Sequence, residues 1–397
     1  MSLYKNHYFR HLAQTSPAPL ALEITSAEGL YLYDSSGKRY LDLISGISVS
    51  STGHRHPRVI EAIQNQLQKH LHVMVYGEFI QEPQVILAAR LAELLPPSLS
   101  TAYFVNSGSE AVEGALKLAK RYTGRQEIIA FKNAYHGSTH GALSVTGNDD
   151  LKKPYGPLLP GVKHLRFNHL DDLDQITSQT ACVIIEPVQG EAGIIPAKPE
   201  FLNKLRKKCS EAGTLLIFDE IQTGMGRTGS LFAFEKYQVI PDILLLAKAF
   251  GGGLPLGAFI SSQEIMHCLT YEPALGHIST FGGHPLSCAA ALANLEIIIE
   301  ENLASQAEEK ANLIVNELKG LPAISEIRHA GLMMALQLGN EEINHRVIEN
   351  CLNNGLITDW FLFKADALRI APPLTIAQGE IEIATSIIRK AILKGMD

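Results

Sequence analysis

Lys248 closes the apolar run Leu244-Leu245-Leu246-Ala247 and is followed, after Ala249-Phe250, by three consecutive glycines, Gly251 to Gly253. A run of this kind reads as a buried strand, and lysine is rarely fully buried without a partner. Burial disfavours the ammonium and lowers its pKa, which makes the amine a nucleophile near neutral pH. The glycines let the backbone turn tightly or approach another group closely. A surface lysine at a strand end, followed by an ordinary turn, has the same local sequence. The other reactive residues of the chain decide between the two.

Asp219 ends a second apolar run, Leu215 to Phe218, and leads into Glu220-Ile221-Gln222. Ligands of open α/β sheets bind beyond the carboxyl ends of the strands, where this carboxylate falls. The alternative is that Asp219 or Glu220 caps the next element. Ser107-Gly108-Ser109-Glu110 lies where the short strand Tyr103-Phe104-Val105 gives way to a helix. Small residues there leave backbone N–H groups free at the positive end of the helix dipole, a site for an anion. Ser107 and Glu110 also have the spacing of a capping box, so an N-cap explains them equally. Tyr135-His136-Gly137 follows the strand Ile128 to Phe131. An aromatic ring there either stacks on a planar ligand or packs within a loop.

A lysine, a carboxylate, an anion cradle and an aromatic plate on one scaffold suit pyridoxal 5′-phosphate. The lysine forms the Schiff base, the carboxylate keeps the pyridine nitrogen protonated, the aromatic stacks on the ring and the helix start holds the phosphate. A competing motif, Gly224-Met225-Gly226-Arg227-Thr228-Gly229, has the G-x-G-x-x-G spacing of a dinucleotide site. That fingerprint must leave a strand directly and open a helix. Here Asp219 to Thr223 intervene and no helical pattern follows. His136 and His140 are four apart, but Gly137 and Gly141 argue against a zinc-binding helix, and no metal is expected.

These residues need a scaffold, and the chain has the length for it. Its 397 residues, 46% apolar and 19% charged, allow one large domain with a smaller companion. From Ala111 to Leu256, short apolar strands alternate with helices, which implies α/β architecture with a largely parallel sheet covered on both faces. A helix is expected from about Gln84 to Leu95, another from Ala111 to Tyr122, a third from Phe201 to Ala212 and a long one from Pro285 to about Asn302. Two β-prone runs around Ser36-Gly37 read as a hairpin over 30–42. Helices at 341–353 and 380–393 with short strands suggest a smaller α+β domain. Net charge is −7, which leaves no basic excess for nucleic acid or an anionic membrane. The five cysteines are scattered without a C-x-x-C pair, and the first 20 residues lack an apolar signal core. A reducing, cytoplasmic compartment is expected, with no membrane span.

Seven ordered blocks resemble the class III pyridoxal-phosphate aminotransferases of fold type I, near the acetylornithine/ornithine/4-aminobutyrate branch. They are Asn106 to Ala111, Tyr135-His136-Gly137, Glu186-Pro187-Val188-Gln189-Gly190-Glu191, Asp219 to Gly224 with Arg227-Thr228-Gly229, Ala247 to Gly253, Ser279-Thr280-Phe281-Gly282-Gly283, and Leu368-Arg369-Ile370-Ala371-Pro372-Pro373-Leu374. The match runs from about Tyr31 to Ile376. The resemblance implies three parts: 1–58 joining the small domain, 59–300 as the large cofactor-binding domain, and 301–397 as the C-terminal part of the small one. It implies that Lys248 carries the cofactor, that Asp219 contacts the pyridine nitrogen and Gln222 the phenolic oxygen. Tyr135 would stack on the ring, beside His136, while Ser107, Gly108 and Ser109 bind the phosphate. Thr280 would reach the phosphate of a neighbouring subunit, making a homodimer the working unit.

For substrates, the resemblance implies that Arg369 clamps a carboxylate and that Glu191 pairs with it when an amine occupies the pocket. One site would then take an amine donor first and 2-oxoglutarate second. An amino-acid racemase or aminomutase of the same fold is the alternative, since neither needs a 2-oxo acid. The ornithine and acetylornithine enzymes usually carry arginine directly after the aromatic triplet, to bind the donor's α-carboxylate. This chain has Ser138 there, with Arg166 and Lys132 as the cations available to substitute. It also has His284 where the family often has asparagine.

Overall fold

In the computed structural model, which describes residues 2–75 and 77–395, seven strands assemble into one sheet. They are β1 (Thr101–Val105), β2 (Glu127–Phe131), β3 (Val162–Leu165), β4 (Thr180–Ile185), β5 (Leu215–Asp219), β6 (Ile243–Leu246) and β7 (Gly257–Ser261). Their spatial order is β1-β7-β6-β5-β4-β2-β3. The strands β6, β5, β4, β2 and β3 run parallel. β7 is antiparallel to both β6 and β1, a reversal that the apolar pattern does not encode. Every residue of β4, β5, β6 and β7 is buried, as expected for central strands covered on both faces.

Alternation along these strands divides the core in two. Leu216, Phe218, Leu244 and Leu246 pack with Phe201, Leu202 and Leu205 of the helix Pro199–Ala212 and with the helix Pro285–Glu300. Leu215, Ile217, Ile243 and Leu245 pack on Ala111, Val112, Ala115 and Leu118 of the helix Gly108–Thr123. Asp219 continues the parity of Leu215 and Ile217, so it leaves β5 on the side of this second helix. Gly114 lets the helix lie close, since a Cβ there would come within 2.3 Å of the Phe259 ring.

Both ends of the chain contribute to the remaining sheets. The hairpin expected at 30–42 is formed by Tyr31–Asp34 and Arg39–Asp42, with the Asp34 carboxylate accepting the Ser36 and Lys38 N–H groups across the turn. Leu356–Ile357 adds in parallel to Arg39–Asp42, which joins the two ends of the chain in one sheet. A second sheet orders Glu326–Ala330, Met333–Gln337, Lys364–Ile370 and Asp359–Phe361. The long helix expected to Asn302 stops at Glu300; Asn302 turns left-handed (φ 52°) and a separate helix, Leu303–Leu318, begins. Ser45, Gly46, Ile47 and Ser48 form a left-handed turn with φ of 53°, 61°, 64° and 63°, although three of them carry a Cβ. The Asp42 carboxylate holds its start by accepting the Ile44 and Ser45 N–H groups at 2.8 and 2.9 Å.

Candidate active site

A cavity of about 410 Å³ opens beyond the ends of β1, β5 and β6 and gathers most of the residues singled out by type and spacing. Ser107, Gly108, Ser109, Tyr135, His136, Glu191, Asp219, Gln222 and Lys248 all line it. Arg369 and Thr280 do not.

The helix Gly108–Thr123 presents its N-terminus to this cavity. Ser107 is the N-cap, its hydroxyl accepting the Glu110 N–H at 3.2 Å. Glu110 does not close the reciprocal capping box; its carboxylate reaches one residue further, to the Asn106 N–H at 2.6 Å. Ser107 therefore caps the helix and also faces the cavity. The N–H groups of Gly108 and Ser109, first in the helix, have no intrahelical carbonyl to bond. A Cβ on Gly108 would lie 2.9 Å from Ile221, and one on Gly137 would lie 2.2 Å from the Ser109 hydroxyl, so glycines at both positions keep the cradle's walls in close contact.

Asp219 and Glu220, adjacent in sequence, part in space. Glu220 is fully buried and accepts the Ala233 and Phe234 N–H groups, capping the short helix Ala233–Tyr237; burial pushes its pKa up to about 8. Asp219 faces the cavity, accepting the Ile221 N–H at 3.1 Å and lying 2.7 Å from His136 Nδ1. The His136 ring is buried, and its Nε2 has no protein partner. Tyr135 stands at the rim, with its N–H donated to Glu186 at 2.9 Å and its hydroxyl 3.3 Å from Ser138.

Lys248 follows β6 in a left-handed conformation (φ 50°) that a side chain adopts only when its surroundings hold it there. Burial lowers its pKa from the ordinary lysine value; Glu191 opposes that shift, Arg369 reinforces it, and Asp219 and Glu186 oppose it more weakly. Glu191 forms part of the cavity wall, and Arg369 lies directly behind it. The two are joined by paired hydrogen bonds of 3.0 and 2.7 Å, and Arg369 also donates to the Trp360 carbonyl at 3.0 Å. Burial raises the Glu191 pKa, but Arg369 more than reverses this and holds it low.

Several lining residues carry no chemical signature in the sequence. Val49, Ile221, Leu254, Pro255 and Leu256 form an apolar wall. Glu186 was visible only as part of a motif. It accepts the Tyr135 and Gly190 N–H groups on separate oxygens, and burial raises its pKa to about 7. Neither substitute for the cation missing at Ser138 reaches the cavity. Arg166 is engaged with Asp172 through bonds of 3.0 and 2.6 Å, and Lys132 is exposed outside the lining.

The residues fit pyridoxal 5′-phosphate. A helix start with free N–H groups and two serines faces the cavity, which a carboxylate, a lysine of lowered pKa and an aromatic ring also line. No helix among the described residues is long and apolar enough to cross a membrane, and no cluster of metal-ligating side chains occurs among them.

Comparison with known proteins agrees with this reading. The sequence profile of the class-III aminotransferases matches residues 12–392. The acetylornithine aminotransferase of Methanopyrus kandleri is 41% identical over 384 residues, 96% of either chain. The solved ornithine aminotransferase of Toxoplasma gondii superposes with a TM-score of 0.91 at 31% identity, covering 99% of this chain and 94% of that one. A PLP-bound amine transaminase from an uncultivated Pseudomonas species gives 0.89 at 29% identity, over 97% and 98% of the two chains.

Proposed function

The chain belongs to the class-III aminotransferases, pyridoxal-phosphate enzymes, and we propose that it transfers the amino group of a terminal amine donor to 2-oxoglutarate, with Lys248 as the cofactor-bearing base. The observation that carries this reading is the buried Glu191–Arg369 pair, with Glu191 forming the cavity wall in front of Arg369. With the pair closed, the pocket presents no free cation beside Lys248 and suits a donor without a carboxylate at that end. With Glu191 displaced, Arg369 offers the planar fork that matches the carboxylate of a 2-oxo acid.

When bound, the cofactor supplies an electron sink for the carbon that bears the amine. Lys248 takes the proton from that carbon at Nζ and returns it at the neighbouring position, a task for which an amine of lowered pKa is suited. Asp219 holds negative charge toward the pyridine nitrogen and is steadied by His136 Nδ1 at 2.7 Å. Ser107, Gly108 and Ser109 would hold the phosphate through hydroxyls and N–H groups, Tyr135 would cover the ring and Gln222 would meet its phenolic oxygen. The apolar wall of Val49 and Leu254 to Leu256 suits the hydrocarbon part of a substrate.

The donor class follows from Ser138. A serine cannot replace a charged hydrogen bond worth roughly 1.5–3 kcal/mol, and Arg166 and Lys132 stand elsewhere. Donors that need a cation at that point, acetylornithine among them, are disfavoured against ω-amines without a carboxylate, such as putrescine. A donor screen with 2-oxoglutarate, following glutamate, tests this. Acetylornithine turned over faster than every ω-amine overturns the donor assignment, and steady turnover without any 2-oxo acid overturns the acceptor.

The working unit is a homodimer. Thr280 is exposed and outside the cavity of its own chain, as a residue serving a second subunit must be. Its sequence neighbours Ile278 and Phe281 are exposed, as are Phe79 and Ile80 (95% exposed) on a segment whose Phe79 lines a cavity with Ser279; exposed apolar side chains of this kind mark interfaces.

A further inference from the structure

Arg227 is completely buried, and among the described residues no carboxylate is within ion-pair distance of it. Its guanidinium donates to three segments far apart in sequence: the Pro372 carbonyl, the Leu332 carbonyl at 3.4 Å, and the Ser51 hydroxyl at 3.1 Å. Its Nε has no partner at all. Burial pushes its pKa down to about 9, with only Asp42 acting to raise it. An isolated buried charge is unfavourable, and an apolar side chain of similar volume in such a place is often neutral or stabilising. Stability alone therefore does not account for an arginine here.

What the guanidinium does hold is the mounting of Arg369. Two residues beyond Arg369 the chain is bound from one side by the N-terminal segment. The Ala371 N–H donates to Leu43 at 2.7 Å, the Ser45 hydroxyl donates to the Ala371 carbonyl at 2.7 Å, and the Leu374 N–H donates to Ser51 at 2.8 Å. From the other side it is bound by Arg227 at Pro372. Arg227 sits on the loop that leaves Asp219, and its own carbonyl accepts the Leu332 N–H at 3.1 Å. The loop is pressed against the C-terminal region: a Cβ on Gly331 would come within 2.6 Å of the Arg227 carbonyl, and one on Gly226 within 2.9 Å of Leu374. The same clamp bears on the left-handed turn that ends at Val49, on the cavity wall.

We propose that Arg227 is a positioning residue for acceptor recognition: it fixes the distance between the Asp219 loop and the strand end carrying Arg369, so that the carboxylate fork is in register with the reacting centre. This rests on the reading of Arg369 as the carboxylate clamp. Arg227 touches neither substrate nor cofactor, and its effect passes through Arg369.

The test measures glutarate, a non-reacting dicarboxylate, binding to the holoenzyme by calorimetry, together with kcat and KM for 2-oxoglutarate. Arg227→Met is expected to weaken glutarate binding and raise KM tenfold or more, with the cofactor's visible absorbance unchanged and kcat within about threefold. In an Arg369→Ala background the same substitution is expected to change KM less than twofold, because contacting or serially acting residues are not additive. Ser51→Ala removes one of the three acceptors and gives a smaller shift in the same direction, which keeps the test open if Arg227→Met does not fold. Unchanged glutarate binding in both Arg227→Met and Ser51→Ala overturns the proposal, as does a fall in kcat with KM unaltered. Unchanged KM in Arg369→Ala alone instead overturns the reading of Arg369 on which the proposal stands.

Discussion

The two walls of the cavity are built by different means. The cofactor wall consists of residues that leave the large sheet directly: Ser107 to Ser109 after β1, Asp219 at the end of β5, Lys248 just past β6. Each lies at or within two residues of the end of a strand of the large sheet, or at the start of the helix that follows it. The wall proposed to meet the acceptor is assembled across the chain, from Glu191 at the cavity and Arg369 behind it, 178 residues apart, with Val49 directly after the left-handed turn. The first wall carries chemistry that must not move. On the proposed reading, the second carries a closed ion pair that opens for one substrate and closes for the other, with Arg369 placed by its strand and by the Arg227 clamp just beyond the strand's end. Rigidity at one wall and a contact with two states at the other would suit a site with two successive substrates, as proposed.

Substitutions at the two walls should differ in kind. Lys248→Ala at the cofactor wall should lower turnover by about 10⁴-fold, the upper range for a lost general base, and abolish the protein-linked cofactor absorbance band. Near-normal kcat in that variant would sink the assignment. Asp219→Ala should cost on the order of 10²–10³-fold in kcat as the facing charge is lost, with acceptor KM nearly unchanged, measured in single-turnover assays.

At the acceptor wall the losses should appear in KM. Arg369→Ala should raise KM for 2-oxoglutarate by roughly 10- to 100-fold, the equivalent of a charged hydrogen bond or two. The donor half-reaction with putrescine should be almost unaffected. Ser138→Arg should do the reverse at the donor end, raising kcat/KM for acetylornithine by about tenfold through a restored charged contact. No gain there would mean that the pocket rejects that donor for another reason.

Glu186 sits between the walls, binding Tyr135 on one side and Gly190, next to Glu191, on the other. Its pKa is raised from 4.5 to about 7 in the folded protein, so folding favours its protonated form. That contribution is complete below pH 4.5 and is lost as pH rises through about 7, amounting to roughly 3 kcal/mol at 1.36 kcal/mol per unit. Thermal denaturation should therefore show wild-type stability falling between about pH 5 and 8, relative to Glu186→Gln, which does not titrate. Parallel curves for the two proteins would show that Glu186 keeps its charge.

Much of the cofactor wall was legible because its residues lie within a few positions of an apolar strand, where type and spacing already specify location. The division of labour between Asp219 and Glu220 was not, since adjacent carboxylates differ only in which way the chain turns after the strand. The reversed strand β7 was hidden for a related reason: a fully buried strand reads the same in either direction. The left-handed turn at Ser45 to Ser48 has one glycine where four residues need positive φ, and it is held by Asp42, which local preference does not anticipate.

The sequence by itself determined the chemistry available: a lysine and an aspartate at strand ends, small residues at a helix start, a tyrosine plate, and seven blocks in the order of one aminotransferase family. The resemblance anticipated the Glu191–Arg369 pair, whereas tertiary structure alone decided that neither Arg166 nor Lys132 stands in for a cation at Ser138, and that Arg227 binds three distant segments without a counter-ion among the described residues. Strand ends are local features set by a hydrophobic run and the turn that stops it. Buried ion pairs and clamps depend on which distant segments share the same low-dielectric space, and that is settled only when the chain has packed.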